Sequence, residues 1–336
     1  MLSAAAFLPR FLGSQLLTLL PYPTCSFRGQ IVVVTDPGNE SSQKAAAHVL
    51  RLDAAQVVLA AQDMEDGLLA KRTISSLSGK PEQTIDVWKL DMSSIDSIKA
   101  FTKHLRELPR LDAVFLNIST STDDFRMCHR TEEDVTIYVV APLLFVVLVF
   151  PILQDSARSS GQRSRLTIVG SDLMYRVNIS RLPTSGSLLP WLRNENNSES
   201  RSWAGLSSLL YFYTVRDWAA HHPISEDSDV LLTMTAADTC RERPKDTEAS
   251  SRSVFKSFSA SNCLLGWSTE TSSRAIVHAV SSDLTFEAHG RFLLGCTIAS
   301  GGSNVDGDQG RFLAEQWNTE LFEFLESVAP GCSKYR

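Results

Sequence analysis

The side chains best placed to do chemistry are few, and they sit at the ends of apolar runs. Ser171 and Asp172 follow the run Arg165–Gly170 (RLTIVG). A hydroxyl beside a carboxyl can polarise an oxygen and exchange a proton with it. Asp172 can equally cap the segment that follows. Tyr138 lies within the uncharged stretch Val135–Leu153, where a phenol needs a hydrogen-bond partner. Tyr175, Tyr211 and Tyr213 are further phenols, but no tyrosine in the chain has a lysine four residues on. Without a neighbouring cation a phenol stays protonated at neutral pH, so packing is the expected role. His221 and His222 close a predicted helix and suit its dipole. The six cysteines show no CxxC and no Cys/His cluster, so neither a disulfide scaffold nor a metal site is implied.

These residues need a frame, and the pattern along the chain supplies one. Strands are predicted at Gln30–Thr35, Gln56–Ala61, Ile85–Leu90, Leu111–Asn117, Arg165–Val169, Val230–Thr235 and Arg291–Gly295. Each is a short run of the kind that buried parallel strands show. Helices are predicted between them at Ser41–Leu52, Glu65–Ser78, Ser94–Arg106, Ser207–His221 and Ser272–Ser281, with a long apolar one at Val135–Leu153. Strand–helix alternation predicts an α/β fold, a doubly wound parallel sheet in three α/β/α layers and a single domain. Residues 1–28 read as an N-terminal extension, 29–326 as the domain and 327–336 as a tail. Loops 181–202 and 238–263, rich in serine and charge, follow strands and fall where such folds place ligand loops.

Composition narrows the options. The 336 residues carry 32 basic and 38 acidic side chains, a net charge of −6. That balance argues against a nucleic-acid partner, which needs a basic surface. A hydrophobic fraction of 43% excludes a disordered chain. Glycine is scarce: 17 residues, about 5% against a usual ~7%. The apolar start (MLSAAAFLPRFLGSQLLTLL) lacks the basic n-region of a signal peptide and reads as a loosely packed helix. Val135–Leu153 is long enough for a bilayer at ~1.5 Å per residue. Its place within the alternating pattern favours a helix buried on all sides, with no membrane span. A cytoplasmic chain is expected, in which the sequons at Asn39, Asn117, Asn178 and Asn196 carry no meaning.

From about Gly29 to Phe324 the order of segments resembles the short-chain dehydrogenases/reductases, which are Rossmann-like. The likeness is greatest to the fungal branch found in secondary-metabolite clusters. It rests on Pro21–Gln30, RLDAAQVVLAAQ (Arg51–Gln62), VWKLDMSSIDSIKAF (Val87–Phe101), LPRLDAVFLN (Leu108–Asn117), SSRAIVHAV (Ser272–Val280) and AHGRFLLGC (Ala288–Cys296). The resemblance implies NADP or NAD as cofactor, with Thr35, Asp91 and Asn117 as the binding residues retained. Asp91 also reads as a turn or cap residue before the next helix. The family's T-G-x-x-x-G-x-G falls on Thr35–Ser42, so its three glycines become Asp36, Glu40 and Ser42. Two carboxylates then stand where a pyrophosphate would bind, and Pro37 removes a backbone donor. The arginine that suits a 2′-phosphate becomes Gln62, and the glycine of N-A-G becomes Ser119. The family's Tyr and Lys fall at Ala204 and Ser208, its helix asparagine at Tyr138, and its N-P-G at Ala236-Ala237-Asp238. Ser171 alone keeps its family identity among the catalytic positions.

The catalytic candidates are therefore Ser171, Tyr138 and Asp172. The expected function is an oxidoreductase-like protein acting on a carbonyl or alcohol of a small fungal biosynthetic intermediate, its standard machinery degraded. Two alternatives stand beside it. One is a cofactor-independent isomerase, cyclase or dehydratase. The other is a non-catalytic member that pairs with an active relative. A homo- or hetero-oligomer would form through helix 135–153, which helps build the dimer in the family.

Overall fold

The computed structural model describes residues 20–117, 136–194, 203–224, 229–236 and 267–332. The predicted loop 238–263, the N-terminal nineteen residues, Ser119 and Asp238 lie outside them. Among the described residues, eight strands form one sheet in the order β3-β2-β1-β4-β5-β6-β7-β8. These are β1 (Ile31–Thr35), β2 (Gln56–Ala61), β3 (Ile85–Lys89), β4 (Ala113–Leu116), β5 (Ser164–Gly170), β6 (Val230–Ala236), β7 (Arg291–Leu294) and β8 (Thr297–Ala299). All neighbours run parallel except β7 and β8. That antiparallel edge hairpin was not expected: the three residues of β8 are too few for periodicity to signal. The tight turn at Gly295 and Cys296, both with positive φ, makes it possible.

The β-branched runs form strands because both of their faces are buried. In β1, Ile31 and Val33 enter one core, while Val32 and Val34 enter the other. The second core lies under α1 (Glu40–Arg51), α2 (Met64–Ser78) and α7 (Thr269–His278). Ala45, Ala46 and Ala47 keep α1 close to the sheet. The first and larger core lies under α3 (Ile95–Leu105), α4 (Ala141–Ser160), α6 (Trp203–His221) and α8 (Asp308–Val328).

The apolar helix α4 is buried on nearly every side within the chain. Tyr138–Ser160 is long and apolar enough to cross a membrane by length and composition alone, yet 83% of its apolar window is inside the fold. Burying each large side chain there contributes roughly 1.5–3 kcal/mol. The apolar residues of α4 are buried in the chain's own core, which lends no support to the expected oligomer through this helix. Pro142 stands at the helix start, where a missing N–H costs little. The terminal helix α8 goes beyond the predicted elements. Leu313, Trp317, Leu321 and Leu325 recur at helical spacing and are buried. Trp317 Nε1 donates to Thr214 Oγ1 at 3.0 Å, fixing α8 on α6. The segment 181–202, expected as loop, holds a short helix α5 (Leu188–Arg193), whose first amides donate to Glu320.

Candidate functional site

The crevice of a doubly wound sheet opens at the carboxyl ends of its strands, where the strand order reverses. Here that point lies between β1 and β4. Thr35 ends β1 and Asn117 follows β4. Thr35 Oγ1 donates to the Asn117 carbonyl at 2.5 Å and accepts from Asn117 N at 2.9 Å. The Asn117 amide then donates to Ser42 Oγ at 2.8 Å. Ser42 is buried. Its hydroxyl closes a network joining β1, β4 and the start of α1.

The N-terminus of α1 is capped from within. Asn39 Oδ1 accepts from Ser41 N at 2.8 Å and from Ser42 N at 3.3 Å. These backbone donors are the kind that a phosphate at a helix N-terminus uses. Glu40 stands in the first turn and pairs with Lys44 at 2.7 Å. Asp36 has a left-handed backbone, φ 52°. Asp tolerates that region better than most residues. Asp91, beyond β3, accepts from both the amide and the hydroxyl of Ser93. Those bonds hold its carboxyl below the usual range, with the Ser93 hydroxyl the largest influence. The turn role read from the sequence is thus present in the structure. Thr35 and Asn117 are brought together; Asp91 stands apart from them, beyond β3.

A second group gathers past β5. Ser171 caps a 3-10 turn, Asp172–Arg176, by accepting from Leu173 N at 3.2 Å. Its own amide donates to Ser208 Oγ at 2.9 Å. Ser208 is thus a backbone anchor. Gly170 permits this approach: a Cβ there would lie 3.3 Å from Ser208 Oγ and 2.1 Å from Met234 Cε. Gly205 permits a similar approach near the start of α6, since its Cβ would meet the Leu173 carbonyl at 2.8 Å. So α6 lies directly on the turn that carries Asp172. Asp172 is 8% exposed. Burial raises its carboxyl pKa, and the charge of Arg176 only partly offsets that.

Tyr138 is half-buried in a π-helical turn, Thr136–Val140, that leads into α4. Its carbonyl accepts the Tyr211 hydroxyl. Burial first, then the neighbouring Tyr138, push the Tyr211 phenol far upward, while Ser207 opposes by a hydrogen bond. Tyr213 donates to the Asn304 carbonyl at 2.7 Å, and burial raises it as well. Neither phenol ionises near neutrality, which agrees with their packing role. Tyr175 donates to the Ser300 carbonyl at 2.6 Å. Among the described residues no group of His, Cys, Asp and Glu could hold a metal.

Sequence reasoning missed three participants. Asn39 as a cap was signalled by an Asn directly before an acidic first turn. Ser42 and Ser208 gave no local signal, because their partners are 75 and 37 residues away.

The chain is 28% identical to the short chain dehydrogenase/reductase dmxR8 of Cryptosporiopsis sp., over 96% of this chain and 98% of the relative. It is 27% identical to the short chain dehydrogenase atnD of Emericella nidulans, over 86% and 90%. Among solved structures, a short chain dehydrogenase from Shigella flexneri matches with a TM-score of 0.55 at 12% identity, covering 83% of this chain and 97% of that one. The RhlG/NADP active-site complex of Pseudomonas aeruginosa matches with 0.54 at 17%, covering 86% and 100%. At such identities these structures speak for the fold. No family model matches the chain. Along nearly its whole length the chain is thus similar, in sequence and in sheet order, to the short-chain dehydrogenases/reductases.

Proposed function

We propose that this chain acts on a carbonyl or alcohol of a small intermediate in fungal secondary metabolism by acid–base chemistry, without a nicotinamide. The single observation that carries this reading is the closed α1 N-terminus. Asn39 already takes the amides of Ser41 and Ser42. A dinucleotide pyrophosphate would have to displace it and face the carboxylates of Asp36 and Glu40, a like-charge arrangement that costs several kcal/mol. The residues present do not fit that group.

Proton transfer then falls to the group past β5. A carboxyl raised by burial holds its proton nearer neutrality and can give it to a substrate oxygen. Asp172 is assigned that role. Ser171 holds its turn and keeps a hydroxyl proton to offer the same oxygen. Tyr138, half-buried at the π-helical turn, is assigned to the cleft wall. An isomerase, cyclase or dehydratase would need no more than this. Hydride transfer is the competing reading, favoured by the dehydrogenase names of the relatives and by Thr35 and Asn117 at their family positions.

Product mass separates the two. Intermediates that accumulate in a strain lacking the gene are incubated with the purified chain in nicotinamide-free buffer and followed by mass spectrometry. Isomerisation or cyclisation leaves the mass unchanged, dehydration removes water, and reduction adds two hydrogens. Turnover without nicotinamide that Asp172→Asn abolishes is the expected result. Turnover only on addition of NADPH, or saturable NADPH binding by calorimetry, overturns it.

A further inference from the structure

At the opposite, amino end of the sheet, an open cavity of about 410 Å³ is lined by Arg28, Gln30, Arg163, Arg165, Ser281 and Leu284, among others. Three guanidiniums share one cavity in a chain whose net charge is −6. Arg165 is the informative one. It is 4% exposed, at the start of β5. Its side-chain partner is the neutral Gln30 Oε1, at 2.7 Å. Its Nε is buried and donates to no acceptor among the described residues. Arginine cannot shed its charge to relieve such a position. A buried cation without a hydrogen-bonded anion is costly.

The carboxylate that favours the Arg165 charge is already committed. Asp112 is clasped by Arg110 Nε at 2.9 and 2.8 Å and accepts Ile31 N at 2.8 Å. Asp112 does favour the Arg165 charge at longer range, but burial outweighs it. The cavity is thus walled by guanidiniums and neutral groups, and no carboxylate is among its lining residues. We propose that it is a binding site for a small ligand bearing a phosphate group, distinct from the crevice at the carboxyl ends of the strands.

A tetrahedral dianion suits the site better than a planar carboxylate. The donors come from three chain segments, at residues 28–30, 163–165 and 281–282, an arrangement suited to a ligand with several acceptor oxygens. Fork-shaped guanidiniums bind phosphate oxygens in pairs. The volume exceeds what a bare phosphate fills, and Leu284 offers an apolar wall to the rest of the ligand. The site is independent of how the crevice above works, and its readout is binding.

Calorimetry of the full chain with inorganic phosphate, at ionic strength fixed with chloride, tests it. Saturable binding is expected, with a melting temperature that climbs with phosphate once its concentration passes the dissociation constant. Arg28→Gln, at the exposed rim, should weaken binding roughly tenfold. Arg165→Lys, which keeps the charge and loses the fork, should weaken it at least as much. If the buried variant fails to fold, Arg28→Gln decides alone. No saturable heat, an equal response to chloride, or unchanged affinity in the folded variants overturns the proposal.

Discussion

The two ends of the sheet treat their polar groups in opposite ways. At the carboxyl end, between β1 and β4, donors and acceptors have been matched to each other: Thr35 with Asn117, Asn117 with Ser42, Asn39 with the first amides of α1. At the amino end, the buried Nε of Arg165 is left without an acceptor among the described residues. The contrast bears on how a cleft should be read. A crevice in the customary place for a ligand can be self-satisfied. A less familiar one can carry the chemical demand. Hydrogen-bond satisfaction, more than position in the fold, tells them apart.

Paired substitutions put that contrast at risk. Asn117→Leu should cost about 2–3 kcal/mol, because it strands the buried Ser42 hydroxyl and fills the space with a side chain that cannot bond. Arg165→Met is the counterpart at the other end. It should be close to neutral, or stabilising by about 1 kcal/mol, since it removes a buried charge with no bonded anion. Urea denaturation of both measures the difference, and an equally large loss at Arg165 would erase the distinction.

A third change asks whether the closed end can be reopened. Replacing Asp36, Glu40 and Ser42 together by glycine removes two carboxylates and the hydroxyl that ties Asn117. NADPH binding, followed by nucleotide fluorescence, should strengthen at least tenfold over the parent chain. No gain would mean that the capping contacts are not what closes the cradle. A smaller effect is expected from Asn39→Ala, which removes the cap at a cost of about 1 kcal/mol in denaturation.

Asp172 gives a pH-dependent test. Its carboxyl lies above the ordinary value in the folded chain. The folded state therefore binds that proton more tightly than the unfolded one does. The associated stability is present below the ordinary carboxylate range and is lost as pH rises through the raised value. Asp172→Asn cannot ionise, so it should exceed the parent in denaturation midpoint at neutral and alkaline pH. The gap should close in acid. A gap of constant size at every pH would show that burial does not perturb this carboxyl.

Much of the scaffold was legible because it rests on local pattern. Strand β2 is a buried apolar run that begins and ends where its periodicity says, and Ser94 caps α3 as its residue type suggests. What escaped was non-local. Helix α8 has a plain apolar stripe, but its importance lies in the Trp317–Thr214 bond across to α6. The candidate site divided along the same line. Ser171 and Asp172 are neighbours in sequence and remain so in space. The bond from Asn117 to Ser42 spans 75 residues, and the arginine cavity gathers residues from 26 to 284. Residue types can announce a cap or a strand. They cannot announce which distant donors will go unmatched.

The left-handed backbone at Asp36 has an energetic consequence. A side chain held at a φ of 52° carries strain that glycine escapes. Asp36→Gly would ask for no rearrangement and would relieve about 1 kcal/mol. The turn after β1 is thus a place where the chain can gain stability by a single substitution.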